Sequence, residues 1–299
     1  MKRSILIITL FILPSLISAQ RKNRSRYEWV GGIGPTNFLG ELGGANQTGS
    51  HLLKDFEIKA TRAVAFVGMR YKNSSFTAFK GGMYLGYLTG NDNLTDEPFR
   101  HNRNLSFRAP ILELSGQMEI FLKKEQQGHL YKIKNAHGRK HLNFELYGFA
   151  GFGVFFFNPQ ANYHGSWINL QPLGTEGQGI ITGKKKYSRV NISFPVGAGI
   201  KFSITRKLSL GLEYGIRKTF TDYIDDVSTT YYDNDLLRQQ RGNIAADLAD
   251  PSLHNPDVGA EVTADGQQRG DPKHKDAYMF TVISFNYKLI YRRKTRSKF

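Results

Sequence analysis

The 299-residue chain has no cysteine. Disulfides and thiolate-held metals are therefore excluded, and the redox compartment is not reported by the sequence. Tryptophan occurs only 2 times, and Asp plus Glu number 25 against 41 Lys plus Arg, a formal net charge of +16. After the first seventeen or so residues there is no apolar run near the ~20 residues that a membrane-crossing helix needs. What is abundant is glycine (31), phenylalanine (21) and tyrosine (15). That mixture suits strands and tight turns better than helices.

The N-terminus reads as a processing segment. Lys2-Arg3 form a basic start, Ser4 to Ile17 an apolar stretch, and Ile17-Ser18-Ala19 a small-residue exit before Gln20. This predicts a cleavable signal peptide over 1–19, with cutting near Ala19. Net positive charge ordinarily raises nucleic acid as a partner. Export weakens that reading, and the basic residues cluster at strand ends and in one connection, where lipid head groups or an acidic partner protein fit better. A basic arm follows over 20–26, and 292–299 forms a basic tail.

From Arg189 to Asp226 every second residue is apolar: Val190, Ile192, Phe194, Val196, Ala198, Ile200, Phe202 and Ile204, then, after Thr205-Arg206, Leu208, Leu210, Leu212, Tyr214 and Ile216. The residues between are small, polar or charged. Period two marks strands whose two faces meet different surroundings. The same pattern predicts further strands near 27–39, 61–72, 76–89, 112–122, 142–156 and 277–291, with Pro35 implying a bulge or a strand end. That makes eight strands joined by connections that alternate long and short. With both termini in the periplasm, the long connections fall outside and the short ones inside. The expectation is an all-β fold: an eight-stranded antiparallel transmembrane β-barrel with a filled lumen over 27–291, with long extracellular loops, the longest over 223–275, and short periplasmic turns. Tyr27 and Trp29 suit an interfacial girdle. A soluble lipocalin-like barrel is the alternative, but it would bury its apolar face inside.

With the apolar face in lipid, the polar face points inward. It holds Arg62, Arg70, Lys80, Glu113, Glu119, Glu145, Arg189, Lys201, Glu213, Arg217 and Lys288. Eight strands enclose only enough room for their own side chains, so these charges should pair across the lumen, since unpaired buried charge is costly. No catalytic, cofactor or metal site is assigned. The eight histidines (51, 101, 129, 137, 141, 164, 254, 274) lie in connections or at strand edges, at no readable spacing to a nucleophile. The acidic group Asp222, Asp225, Asp226, Asp233 and Asp235 lacks the frame of a calcium loop, and reads as a solvated strand end.

Two stretches carry a resemblance. GLEYGIRKTFTDYIDDVSTTYYD (Gly211 to Asp233), preceded by FPVGAGIKFSI (Phe194 to Ile204), and GIGPTNFLGEL (Gly32 to Leu42) resemble the PorG-like family of Bacteroidetes outer-membrane barrels. The strongest motif is TDYIDDVSTTY, Thr221 to Tyr231. The resemblance implies a non-catalytic component of the type IX protein secretion machinery, which supports gliding in some species, associated with a periplasmic ring of a PorK-like lipoprotein and a PorN-like protein. No cofactor and no catalytic residue is implied. The insertion from Asn234 to Lys275 and the basic tail depart from the family pattern. Contact with the ring would use periplasmic features: the arm, the tail, and the connection carrying Lys123, Lys124, Lys132, Lys134, Arg139 and Lys140. A small-solute channel and a lipid-modifying barrel enzyme stay open as other readings.

Overall fold

The computed structural model describes residues 26–42, 60–95, 97–123, 144–205, 207–255, 257–259 and 262–289. The expected signal peptide and tail, and all of the arm but Arg26, lie outside these residues. So does the connection 124–143, with five of the six basic residues assigned to partner contact.

Eight long strands form the body: β1 (Tyr27–Leu39), β2 (Arg62–Lys72), β3 (Thr77–Asn91), β4 (Ser106–Lys123), β5 (Phe144–Phe157), β8 (Val190–Ser203), β9 (Leu208–Thr219) and β10 (Ala277–Lys288). Two short strands, β6 (Gln160–Tyr163) and β7 (Ser166–Asn169), form a hairpin beyond β5. Every neighbouring pair of long strands is antiparallel. The sheet runs β3-β2-β1-β10-β9-β8-β5-β4, and β3 pairs again with β4, so it closes on itself. Closure leaves no free edge along the eight strands.

Strand bounds mostly fall within two or three residues of those the alternation predicts, but β4 begins at Ser106, six residues before the expected 112, because inward Phe107, Ala109 and Ile111 face an apolar lumen and blur the alternation. Pro35 makes no bulge: β1 continues through it to Leu39, opposite Ala63 of β2, at unchanged offset on both sides. Proline is accommodated because the β1–β10 ladder skips Gly34 and Pro35 and resumes at Thr36 and Phe280. Backbones there lie so close that a Cβ on Gly34 would come within 1.8 Å of the Thr281 carbonyl oxygen. Glycine is required at that position. The one register shift in the barrel ladders lies between Phe121 and Lys123.

The outward face is apolar. Ile33, Val67, Leu85, Leu114, Phe152, Val196, Leu212 and Phe285 are all exposed. On the outward positions of the strands charges occur only at the two margins, Arg108 and Lys218 near the loop end and Lys123 at the turn end. Exposed Tyr27, Trp29 and Tyr287 also stand at the turn end, on the adjacent strands β1 and β10. No helix among the described residues is long and apolar enough to cross a membrane. An uncharged belt with aromatic margins, around a closed antiparallel sheet, is the pattern of a barrel that crosses with its strands.

One end carries the turn 73–76, the short connection from β8 to β9 and both ends of the barrel chain. The other carries the long connections, which are partly folded: a 3₁₀ turn (Asp92–Leu94), α1 (Pro98–Arg103), the β6–β7 hairpin, α2 (Asn234–Arg241) and α3 (Asn243–Ala249).

Candidate functional site

The lumen has two zones. Toward the turn end it is ionic. Arg70 donates to Glu119 through Nε (2.6 Å) and Nη2 (3.0 Å), and through Nη1 to Glu28 (3.1 Å) and the Asn286 side-chain carbonyl (2.7 Å). Lys201 bridges Glu28 (3.1 Å) and Glu145 (2.6 Å), and Lys72 reaches Glu145 at 2.8 Å. Lys80 meets Glu213 at 2.5 Å, and the Tyr147 hydroxyl donates to the same carboxylate at 3.0 Å. Above these, Glu113 accepts from the Tyr278 hydroxyl (2.6 Å) and lies 3.6 Å from Arg217. The Arg217 guanidinium also stacks over Phe280, 4.4 Å from the ring centre. Five cations thus face five carboxylates, all buried but Lys72. Opposite charges so closely matched are what makes such burial tolerable.

Toward the loop end the lumen is apolar. Phe66, Tyr84, Phe280, Phe155, Phe157, Phe107, Ala109 and Ile111 fill it. The expected ion network covers only the lower zone. Two of its expected members sit elsewhere. Arg62 is exposed at the rim of β2 and donates to the Thr61 carbonyl, and Arg189 precedes β8 and donates to Asn158 at 3.2 Å over the Phe156 ring. Both have lumen parity but stand at the loop-end limit of their strands, Arg62 opening β2 and Arg189 just preceding β8. Lys288 points inward and is buried at the turn end. Lys72 pairs in the network although the alternation did not single it out. Lys123 ends β4, exposed, with its ammonium 3.8 Å from the centre of the Phe144 ring.

The mouth is closed by the loops. Leu42, Ile224 and Val227 are fully buried and pack on the aromatic upper zone. The two sequence signatures therefore meet here, Gly40-Glu41-Leu42 from the exit of β1 and Thr221 to Tyr231 beyond β9. The Leu42 amide donates to Asp225 Oδ2 at 3.2 Å. Asp222, Asp225 and Asp226 are buried rather than solvated, which corrects the reading of this group as a strand end in water. Local donors hold them: Val227 N to Asp225 (3.0 Å), the Ser228 hydroxyl to Asp222 (2.7 Å), and the Thr175 and Tyr187 hydroxyls to Asp226 (each 2.5 Å). Asp226 itself has φ +67°, a left-handed conformation that short polar side chains tolerate. Asp233 instead caps α2, accepting from Leu236 N, and Asp235 is exposed in its first turn.

Two arginines tie the loops together. Arg103 grips Asp92 with two hydrogen bonds (2.7 and 2.9 Å) and donates to the carbonyls of Arg269 (2.7 Å) and Glu41 (3.1 Å). Arg269 pairs with Glu176 (3.1 Å) and donates to the Asp226 carbonyl (2.6 Å). Glu176, buried, also accepts from Ser228 N and from the Thr229 amide and hydroxyl.

The carboxylates of the cap do not share the balance of the lumen. Burial and the neighbouring Asp222 push Glu41 up to about 7. Burial, then Glu41, raises Asp225, and burial, then Asp225, raises Asp276. Burial raises Asp226 to about 6 against the pull of Arg269. Carboxyl oxygens of Glu41, Asp222 and Asp276 lie within 4.8 Å of one another.

Of the histidines within the described residues, His101 lies in α1, His164 in the β6–β7 turn, and His254 and His274 in the last long loop, where His274 Nδ1 is 2.7 Å from Asp271.

These features define a transmembrane β-barrel with a packed lumen and a folded cap. A family described as a domain of unknown function (DUF6089) matches residues 141–249, from β5 through the cap motif to α3. No curated protein matches the chain. Among solved structures, the chain is similar to Ail, the attachment invasion locus protein of Yersinia pestis, in its complex with the heparin analogue sucrose octasulfate. The identity is 8%, the TM-score 0.36, and the match covers 87% of this chain and 96% of that one. It is also similar to Neisserial surface protein A, at 8% identity and a TM-score of 0.37, covering 90% of this chain and 100% of that one.

Proposed function

We propose that the protein resides in a bacterial outer membrane, reaches it by means of the cleavable N-terminal segment 1–19, and serves there as a non-catalytic scaffold of the type IX secretion machinery. In cells that glide, it serves that machinery too. The observation that carries the scaffold reading is the doubly closed interior: an ion-paired lower lumen, an aromatic upper lumen and a folded cap leave only the belt and the two ends as contact surfaces. The secretion role is supported by the resemblance of Gly32 to Leu42 and Phe194 to Asp233 to the PorG-like family. The partners are then outer-membrane lipid around the belt and, at the turn end, the periplasmic ring of PorK-like lipoprotein and PorN-like protein; nucleic acid is not among them. Lys123, Lys124, Lys132, Lys134, Arg139 and Lys140 form a basic connection at that end, suited to an acidic partner surface.

The test is affinity purification of the tagged full-length protein from detergent-solubilised outer membranes. The ring proteins are expected to co-purify, and neutralising all six basic residues is expected to reduce their recovery at least tenfold while the barrel stays in the membrane. Failure of the wild type to recover the ring overturns the secretion role. Unchanged recovery by the neutralised variant overturns the docking surface alone. Steady ion conductance, or turnover of lipid A or phospholipid by the pure protein, would favour the channel or enzyme readings instead.

A further inference from the structure

In the lumen each of the five paired carboxylates has a cation within reach, whereas in the cap Glu41, Asp222, Asp225 and Asp276 form no ion pair among the described residues. The nearby cations are engaged elsewhere: Arg103 on Asp92, Arg269 on Glu176, and the Lys275 ammonium on the Pro272 carbonyl.

Three of these carboxylates are arranged alike. Each anchors one oxygen on a fixed donor: Glu41 Oε1 on Asp271 N (3.1 Å), Asp222 Oδ2 on the Ser228 hydroxyl (2.7 Å), and Asp276 Oδ2 on Ile224 N (2.8 Å). In each the second oxygen (Glu41 Oε2, Asp222 Oδ1, Asp276 Oδ1) is buried and accepts no hydrogen bond. Asp222 and Asp276 are 2% and 1% exposed. A buried acceptor without a donor is costly, and three in one place call for a common partner. Gly40 contributes as well, since a Cβ there would stand 2.4 Å from Asp276 Oδ1. The absent side chain lets that oxygen lie against the backbone beside Glu41.

We propose that Glu41, Asp222 and Asp276 bind one hard divalent cation, calcium, which fastens the exit of β1 to the loop between β9 and β10. The donors are all oxygen, with no histidine or cysteine, which selects calcium or magnesium over zinc. Two oxygens across a calcium ion at ~2.4 Å stand up to ~4.8 Å apart, against ~4.2 Å across magnesium, and calcium accepts the irregular geometry of a loop site. Magnesium demands near-ideal octahedral placement that three anchored carboxylates do not offer. Bound there, the ion would hold Leu42, Ile224 and Val227 seated in the mouth. Asp225 lies behind the site, its two oxygens on Leu42 N and Val227 N, and orients both strands of chain that supply ligands.

The proposal stands apart from the secretion reading, since it concerns the cap alone. It is tested on the full-length protein in detergent, stripped with chelator and titrated with calcium chloride by calorimetry, beside limited proteolysis of the cap. We expect one calcium per chain with a dissociation constant below about 1 mM, at least tenfold weaker binding of magnesium, and cap cleavage slowed tenfold or more by calcium. D222N/D276N should lose calcium binding, and its cap should resist protease equally with calcium or chelator, because the repulsion is gone. Absence of calcium binding by the wild type up to about 10 mM overturns the proposal, as do undiminished binding by the double variant and equal affinity for magnesium. Should the double variant fail to fold, E41Q, at the most exposed ligand, serves in its place.

Discussion

Arg70 is the residue on which most of the lower lumen depends. Its guanidinium satisfies Glu119 with two bonds, Glu28 with a third, and Asn286 with a fourth. R70M would leave Glu28 with its lysine neighbours but deprive Glu119 of its close partner, Lys80 being 4.0 Å away. Breaking one side of a buried pair costs ~3–5 kcal/mol, so R70M should lower the midpoint of urea unfolding, followed by the heat-modifiable band on gels. R70M/E119Q should recover part of that loss, because the stranded charge is removed with its partner. A double variant no better than the single one would show that shape, not charge pairing, governs this position. Gly34 makes a second prediction at this scale. With Thr281 carbonyl oxygen 1.8 Å from where a Cβ would stand, G34V should yield little or no folded band, whereas the same change at Gly116, with nothing within 4 Å, should fold normally.

Among the elements, the strands were the most legible part of the sequence and the cap the least. β8 and β9 alternate cleanly because lipid lies on one side and small residues and ion-pair members on the other. At the loop end of β4 and β5 that contrast fades: Phe155 and Phe157 face an apolar lumen while Phe156 faces outward, so period two no longer separates the faces. The aromatic upper zone was hidden for that reason. Arg62 and Arg189 carry the right parity but sit at the loop-end limit of their strands, far from the carboxylates of the lower zone. Parity gives a face, and only the register gives a height. The β6–β7 hairpin, α2 and α3 are short and draw their stability from packing on other loops, which no local pattern records. Likewise, the burial of Asp222, Asp225 and Asp226 depends on donors from Ser228, Thr175, Tyr187 and Leu42, all but Ser228 more than thirty residues away in sequence. The cap should also come apart as a unit of its own. R103Q removes the grip on Asp92 and weakens the links to Glu41 and Arg269. It should raise the rate of cap proteolysis at least tenfold while leaving the heat-modifiable band of the barrel in place. Loss of that band together with the cap would mean that cap and barrel fold as one.

For the whole molecule, a lumen filled from the turn end to the mouth predicts no passage for ions. Purified protein in planar bilayers should show no steady conductance, and removal of the cap alone should not create one, since the ion-paired zone lies below it. A stable open channel in the intact protein would contradict the packing of Arg70, Lys80, Lys201 and their carboxylates. The same network constrains a different kind of movement. Each of the eight long strands supplies a member to it: Glu28 from β1, Arg70 from β2, Lys80 from β3, Glu119 from β4, Glu145 from β5, Lys201 from β8, Glu213 from β9, and Asn286 from β10. Parting any two neighbouring strands would therefore pull a charge or an amide away from its partner and turn it toward hydrocarbon. Lateral unzipping, by which a barrel could release or admit a polypeptide sideways into the bilayer, would cost such contacts, the Arg70–Asn286 bond beside the junction of β1 with β10 included.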